Sequence, residues 1–280
     1  MIFELAGLKL NVEFFHTVEN DKPPLLFLHG FTGSSEDWKP IVPHIDKNFS
    51  TIGIDIIGHG KSDSPQSEEL YTAESISNQI SSVIELTVKG KVIPVGYSMG
   101  GRAALNFSFR YPEKIAGLIL ESTTPGIKNE KLRDERIKSD DEVIEFIRTH
   151  TVKEFVAYWV NKEIFDTQRR FSEEKRKYIK ESKLRNNPDG LANSLQGFGT
   201  GKMPPLFEHL KDIKCKTLLI TGELDSKFTN INSEIVGLFP KAEHKIIKNA
   251  GHNTHLEEPE KFIWEVNQFL NSLAGKIFHK

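Results

Sequence analysis

Short, mostly apolar runs separated by amphipathic stretches constrain this chain more than any other feature. Residues 25–29, 51–55, 91–97, 115–121, 217–221 and 244–247 show little polar alternation, the pattern of strands buried on both faces. Between and after them the spacing becomes that of a helix. Ile76, Ile80, Val83, Ile84 and Val88 recur at i, i+4, i+7 and i+8. Phe262, Ile263, Val266, Phe269, Leu270 and Leu273 repeat the pattern behind Pro259, which a first helical turn tolerates. Strand-then-helix alternation predicts an α/β fold, with a mostly parallel central sheet and helices on both faces. Ahead of it, Leu8, Leu10, Val12 and Phe14 alternate after a Gly7 turn and predict an N-terminal β-ribbon.

The rhythm breaks between residues 128 and 183. That segment has no buried-strand run and carries 15 Lys+Arg against 13 Asp+Glu, so it reads as a solvated helical lid inserted before the last two strands. The expected organisation is a core domain of residues 1–122 and 206–280 with a lid over 123–205. Charge balance is close over the whole chain too, 37 Lys+Arg against 39 Asp+Glu for a formal net charge of −2. Such a balance gives no broad electrostatic reason to bind nucleic acid or an anionic membrane. A single Cys215 in 280 residues leaves no internal disulfide and no metal site built on several cysteines, which fits a reducing compartment. The N-terminus lacks a basic leader, and no run reaches the ~18 apolar residues of a membrane span. A cytoplasmic protein is expected, as a monomer or small homo-oligomer, without cofactor or metal.

Chemistry concentrates at Gly96-Tyr97-Ser98-Met99-Gly100, which follows an apolar strand and precedes the helical stretch 102–110. Small residues around a Ser at a strand-to-helix turn let the backbone bend sharply and push Oγ out above the sheet. The N–H of Met99, at the start of the helix, then faces an incoming anion. Such a Ser needs a base, and the base needs an orienting acid. Downstream, in the order Ser, acid, His, stand Asp225 after the strand at 217–221 and His252 after the strand at 244–247. Both lie past carboxyl ends of predicted strands, where open α/β sheets place their sites. Glu223 is the competing acid. The loop His29-Gly30-Phe31-Thr32-Gly33-Ser34 follows the strand at 25–28, making the Phe31 N–H the second candidate oxyanion donor. His29 reads there as a brace for the backbone rather than a catalytic group.

Other patterns fail on their own terms. Gly60-Lys61-Ser62 ends like a phosphate loop, but Asp55 stands where that motif requires Gly. His252 and His255 lack the H-E-x-x-H spacing of a zinc pair.

Taken together, these positions resemble the α/β-hydrolase superfamily over nearly the whole chain apart from the lid. Further strings resemble one member family, the 2-succinyl-6-hydroxy-2,4-cyclohexadiene-1-carboxylate (SHCHC) synthases of menaquinone biosynthesis. They are Gly100-Gly101-Arg102 after the Ser98 turn, Glu121-Ser122-Thr123-Thr124-Pro125-Gly126-Ile127, Leu184-Arg185-Asn186, Gly199-Thr200-Gly201, Asp225-Ser226-Lys227-Phe228 and Gly251-His252-Asn253. The resemblance implies a lyase that eliminates pyruvate from 2-succinyl-5-enolpyruvyl-6-hydroxy-3-cyclohexene-1-carboxylate, with Ser98, His252 and Asp225 as the proton-abstracting triad. It also implies a small polycarboxylate partner held by Arg102, Arg185 and Lys227, by Arg133 or its competitor Arg136 in the lid, and by the aromatic rings of Tyr97 and Trp159. The residues support that class independently for Arg102, which lies one helical turn beyond Ser98, where a guanidinium can grip a carboxylate with two hydrogen bonds. The alternative is a serine hydrolase of esters, or of carbon–carbon bonds in ring-fission products.

Overall fold

The apolar runs form one sheet in the computed structural model, which describes residues 1–277. Its strands among the described residues are β1 (Ile2–Leu5), β2 (Leu8–His16), β3 (Leu25–Leu28), β4 (Thr51–Ile54), β5 (Ile93–Tyr97), β6 (Gly117–Glu121), β7 (Lys216–Gly222) and β8 (Ala242–Ile247). The sheet order is β1-β2-β4-β3-β5-β6-β7-β8. β1 and β2 form the expected N-terminal ribbon, β2 joins β4 antiparallel, and every pairing from β4 to β8 is parallel. Successive side chains of β3 go to opposite faces, as the pleat requires. Leu26 and Leu28 pack with Ile76, Ile80 and Phe107 on one side, while Leu25 and Phe27 pack with Phe262, Val266 and Phe269 on the other. One run departs from expectation. β8 is an edge strand with β7 as its single neighbour, and only Ile247 in it is buried.

The helices are α1 (Ala73–Thr87), α2 (Met99–Arg110), α3 (Glu130–Thr149), α4 (Val152–Trp159), α5 (Glu173–Lys183), α6 (Pro188–Phe198), α7 (Ser226–Ile235), α8 (Thr254–Glu257) and α9 (Pro259–Ile277). α9 begins at Pro259, where the missing N–H costs nothing. None of the described helices is long and apolar enough to cross a membrane. The four helices α3 to α6 stand between β6 and β7, and three of them, α3, α4 and α6, share a small core. Val143, Ile144 and Ile147 meet Phe155 and Val156 there, together with Leu191, Ala192 and Leu195. This cluster explains how a segment so rich in charge still folds: its apolar positions are few but fall on facing helix stripes.

Beneath the loop that follows β3, buried imidazoles brace the backbone. His29 Nδ1 donates to the Gly30 carbonyl (2.8 Å) and its Nε2 accepts the Ile56 N–H (3.0 Å), which fixes the neutral tautomer. Burial holds its pKa below the ordinary value, against the pull of Asp55. His59 packs beside it with ring centroids 5.1 Å apart, and burial pushes its pKa down to about 3.

Two measurements check this packing. A Cβ at Gly100 would lie 2.1 Å from the Leu28 carbonyl oxygen, whereas one at Gly237 would meet nothing within 4 Å. Gly100→Ala should therefore lower the unfolding free energy by about 1–3 kcal/mol or more, and Gly237→Ala should leave it within about 0.5 kcal/mol; equal urea midpoints for the two would contradict the close approach. The second concerns acid. Because folded His59 titrates near 3 and unfolded His near 6.5, the unfolded chain binds the extra proton between those values and stability falls as pH drops through that window. His59→Gln should flatten that fall by up to about 1.4 kcal/mol per pH unit between pH 6 and pH 4, and a curve parallel to the wild type would refute the neutral buried state.

Candidate active site

Ser98 sits between β5 and α2 with φ +51° and ψ −106°, in the left-handed half of backbone space where a non-glycine residue is strained. A Cβ at Gly96 would strike the Gly100 carbonyl oxygen at 2.3 Å, so the turn needs the small residues that the sequence puts there. Ser98 N–H donates to the Glu121 carbonyl of β6 (2.8 Å). The turn thereby raises Oγ to 3.0 Å from His252 Nε2. On the other side of that imidazole, Nδ1 lies 2.7 Å from Asp225 Oδ2. A carboxylate that accepts from Nδ1–H leaves Nε2 as the acceptor, so His252 is set to take the Ser98 proton. Asp225 also caps α7 by accepting the Phe228 N–H (3.2 Å). The competing acid, Glu223, is exposed and accepts the Asn249 N–H (3.0 Å), which makes it a loop cap.

The His252 loop is tied down by a second pair. Glu121, fully buried at the end of β6, accepts from the Thr254 hydroxyl (2.7 Å), from the His255 N–H (2.9 Å) and from His255 Nδ1 (2.6 Å). The His255 ring stacks on Trp38 at 4.2 Å and edges onto Tyr97. A charged side chain closing an otherwise apolar strand is the sequence signal for this anchor. His255 is thus a structural partner of Glu121, not one of a metal pair.

Above Ser98, His252 and Asp225, the segment between β6 and β7 supplies rings. Trp159 meets Phe31 edge-on at 5.0 Å, and Phe165 approaches His252 at 6.4 Å. The Trp159 Nε1–H is enclosed without an acceptor. Tyr97, nearly buried, crosses the triad imidazole at 5.4 Å. The N–H groups of Phe31 and Met99 donate to no protein acceptor among the described residues, as oxyanion donors must be left. The cavity beside the triad, walled by Gly30, Phe31, Tyr97, Phe165, Lys183 and Asn253, holds only about 30 Å³, the room of about one water.

The expected cations lie outside the lining of this cavity. Arg102 is buried at the junction of α2 with α6, where it donates to the Phe198 carbonyl and lies 4.7 Å over the Phe198 ring. Burial, with Arg136 adding and Asp140 opposing, pushes its guanidinium down to about 9; it stays charged at neutral pH but does not line the cavity beside the triad. Of the two α3 arginines, Arg136 pairs with Asp140 (2.9 Å) next to Arg102, while Arg133 is partly buried and forms no ion pair among the described residues. Arg185 points outward, 63% exposed, in an ion pair with Glu36 at 2.6 Å. Lys227 is exposed and rests 5.8 Å over the Phe228 ring. The cation that does line the cavity is Lys183, which sequence reasoning passed over. Residues two apart on a helical turn face opposite sides, so the outward turn of Arg185 sends Lys183 inward.

Residues 23–259 match the profile of the family described as alpha/beta hydrolase fold. A Bacillus subtilis (strain 168) protein that carries the SHCHC synthase name provisionally is 40% identical over 254 residues, covering 91% of this chain and 92% of that one. The SHCHC synthase of Salmonella typhimurium (strain LT2) is 30% identical over 248 residues, 89% of this chain and 94% of its own length. Among solved structures, MenH from S. aureus superposes with a TM-score of 0.90 at 32% identity, covering 94% of this chain and 98% of the other. A Thermogutta terrifontis esterase, at 24% identity and a TM-score of 0.81, shares the fold. The chain belongs to the alpha/beta hydrolase fold family and, within it, to the 2-succinyl-6-hydroxy-2,4-cyclohexadiene-1-carboxylate synthases.

Proposed function

We propose that this chain eliminates pyruvate from 2-succinyl-5-enolpyruvyl-6-hydroxy-3-cyclohexene-1-carboxylate to give SHCHC, with the Ser98–His252–Asp225 chain as the base. The observation that carries the reading is this intact hydrogen-bonded chain, 3.0 Å and 2.7 Å long in its two links, in a member of the synthase family. The substrate is a 3-cyclohexene and the product a 2,4-cyclohexadiene, so the hydrogen lost is on the ring carbon bearing the succinyl group. Ser98 Oγ takes that proton as its own passes to His252 Nε2, and Asp225 stabilises the imidazolium that forms. The freed electron pair becomes the new ring double bond, the existing double bond shifts one position, and the bond to the enolpyruvyl oxygen breaks. Pyruvate departs as its enolate and recovers a proton from His252. No water is consumed, and Ser98 forms no covalent bond.

Negative charge gathers on the succinyl ketone oxygen as the proton leaves. The Phe31 and Met99 N–H groups are the donors for it, worth about 3–4 kcal/mol each when a comparable donor is removed from an oxyanion hole. Residues 123–205 act as the lid over the core formed by 1–122 and 206–280. Tyr97 and Trp159 frame the ring, and the Arg102–Asp140–Arg136 cluster lends positive charge to the base of the lid. Arg133, Arg185 and Lys227 lie farther out and meet substrate carboxylates when the lid lifts. The substrate is a small soluble polycarboxylate, and the cytoplasm is the compartment proposed for the reaction.

Purified protein given the enolpyruvyl precursor should release pyruvate while a conjugated-diene absorbance appears. Ser98→Ala and His252→Ala should each slow that release by about 10³-fold or more without lowering the melting temperature. Rapid hydrolysis of aryl esters with no pyruvate above the spontaneous rate would reject the lyase and install the serine hydrolase in its place.

A further inference from the structure

We infer that Glu257 is a positioning residue of the proton relay and that Arg170 joins it to the segment above the site, so that the seating of this segment sets the His252 imidazole. The inference rests on the elimination proposed above. Glu257 is the last residue of α8, and its carboxylate brackets His252 in the chain. Oε2 accepts the Gly251 N–H at 2.8 Å, and Oε1 accepts the Asn253 N–H at 3.4 Å. One side chain therefore holds the residue before the imidazole and the residue after it. The links from His252 to Asp225 and Ser98, 2.7 Å and 3.0 Å, depend on where that backbone lies.

The Glu257 side chain is fully enclosed, and its counter-charge comes from the segment between β6 and β7. Arg170 Nη2 lies 3.1 Å from the same Oε2 that binds Gly251, with the arginine side chain 40% exposed. Arg170 ends the short helical stretch Glu163–Arg170, and its neighbours meet the same loop. Phe165 approaches the His252 ring edge-on. The Thr167 side chain fills the space beside Gly251, where a Cβ would come within 2.2 Å of its Oγ1. Lys175 Nζ donates to the Leu256 carbonyl at 2.7 Å. A buried carboxylate is costly unless it is hydrogen-bonded and paired. Here two N–H groups of the His252 loop and a guanidinium of the overlying segment meet that need together. Removing the guanidinium leaves a buried charge on the two N–H groups, and the loop relaxes toward water. A misplacement of about 1 Å at a reacting group can cost about 10²-fold in rate, so a small relaxation registers in catalysis before it registers in folding.

A purely structural clamp would use the same bonds, so the test must separate stability from turnover. Pyruvate release is followed against precursor concentration, well below each melting temperature, for wild type, Arg170→Met, Arg170→Lys, Glu257→Gln and the double variant R170M/E257Q. Arg169→Met is the control, since Arg169 belongs to the same stretch but pairs with Asp166 at the surface. The expected result is a kcat lowered about 10-fold in R170M and about 100-fold in E257Q. KM should stay within about threefold in both, because orientation of the base matters only in the transition state. R170K should recover most of the kcat, since the pairing runs through one guanidinium nitrogen. The double variant should be no slower than E257Q, as expected if Arg170 acts through Glu257, and R169M should match the wild type. If E257Q does not fold, R170M and R170K decide alone. An R170M that melts lower yet turns over at the wild-type rate would make the pair structural and overturn the inference, leaving the elimination intact. A raised KM at unchanged kcat, additive losses in the double variant, or an equal loss in R169M would overturn it as well. A wild type that releases no pyruvate brings down the lyase reading and the inference with it.

Discussion

Ser98 occupies backbone angles that an L-residue reaches at a cost of about 1–3 kcal/mol, and the geometry of the site follows from how that cost is offset. Its N–H is bound by the Glu121 carbonyl, and its own carbonyl accepts from the Arg102 N–H (3.1 Å) and the Thr123 hydroxyl (2.9 Å). Gly96 and Gly100 let α2 press against β5 and β3 at distances no Cβ would allow. With the turn held on every side, Oγ meets His252 and the Met99 N–H is left without a protein acceptor. The strain is thereby converted into orientation, which is worth more to a proton transfer than the same energy spent on stability.

The end of β6 serves both halves of the triad. Glu121 holds Ser98 with its carbonyl and the His252 loop with its carboxylate, through Thr254 and His255. Asp225 enters from the end of β7, the next strand in the sheet. Two adjacent parallel strands thus fix the triad's spacing, and the loops between strand ends and helices need carry only the final few ångströms.

Much of this was legible in the residues. The strands declared themselves as apolar runs because a parallel sheet buries both faces, and Ser98, Asp225 and His252 followed from a turn motif and a chain order that both have physical causes. The edge position of β8 was hidden, since His244 to Ile247 read no differently from a central strand without knowledge of its neighbours. The cations were the least legible part. Arginine and lysine side chains are long, and Arg102 and Arg185 found partners in Phe198 and Glu36 that lie 96 and 149 residues away in sequence. Only helical phase distinguishes Lys183 from Arg185, and that phase depends on where α5 ends.

The account stands on Ser98 removing a ring proton instead of attacking a carbonyl. Its most direct test is the isotope effect on kcat/KM for pyruvate release when the hydrogen on the succinyl-bearing ring carbon is replaced by deuterium. Proton abstraction by the triad predicts a ratio well above one in the wild-type enzyme. A ratio of one, with pyruvate still formed, would contradict it.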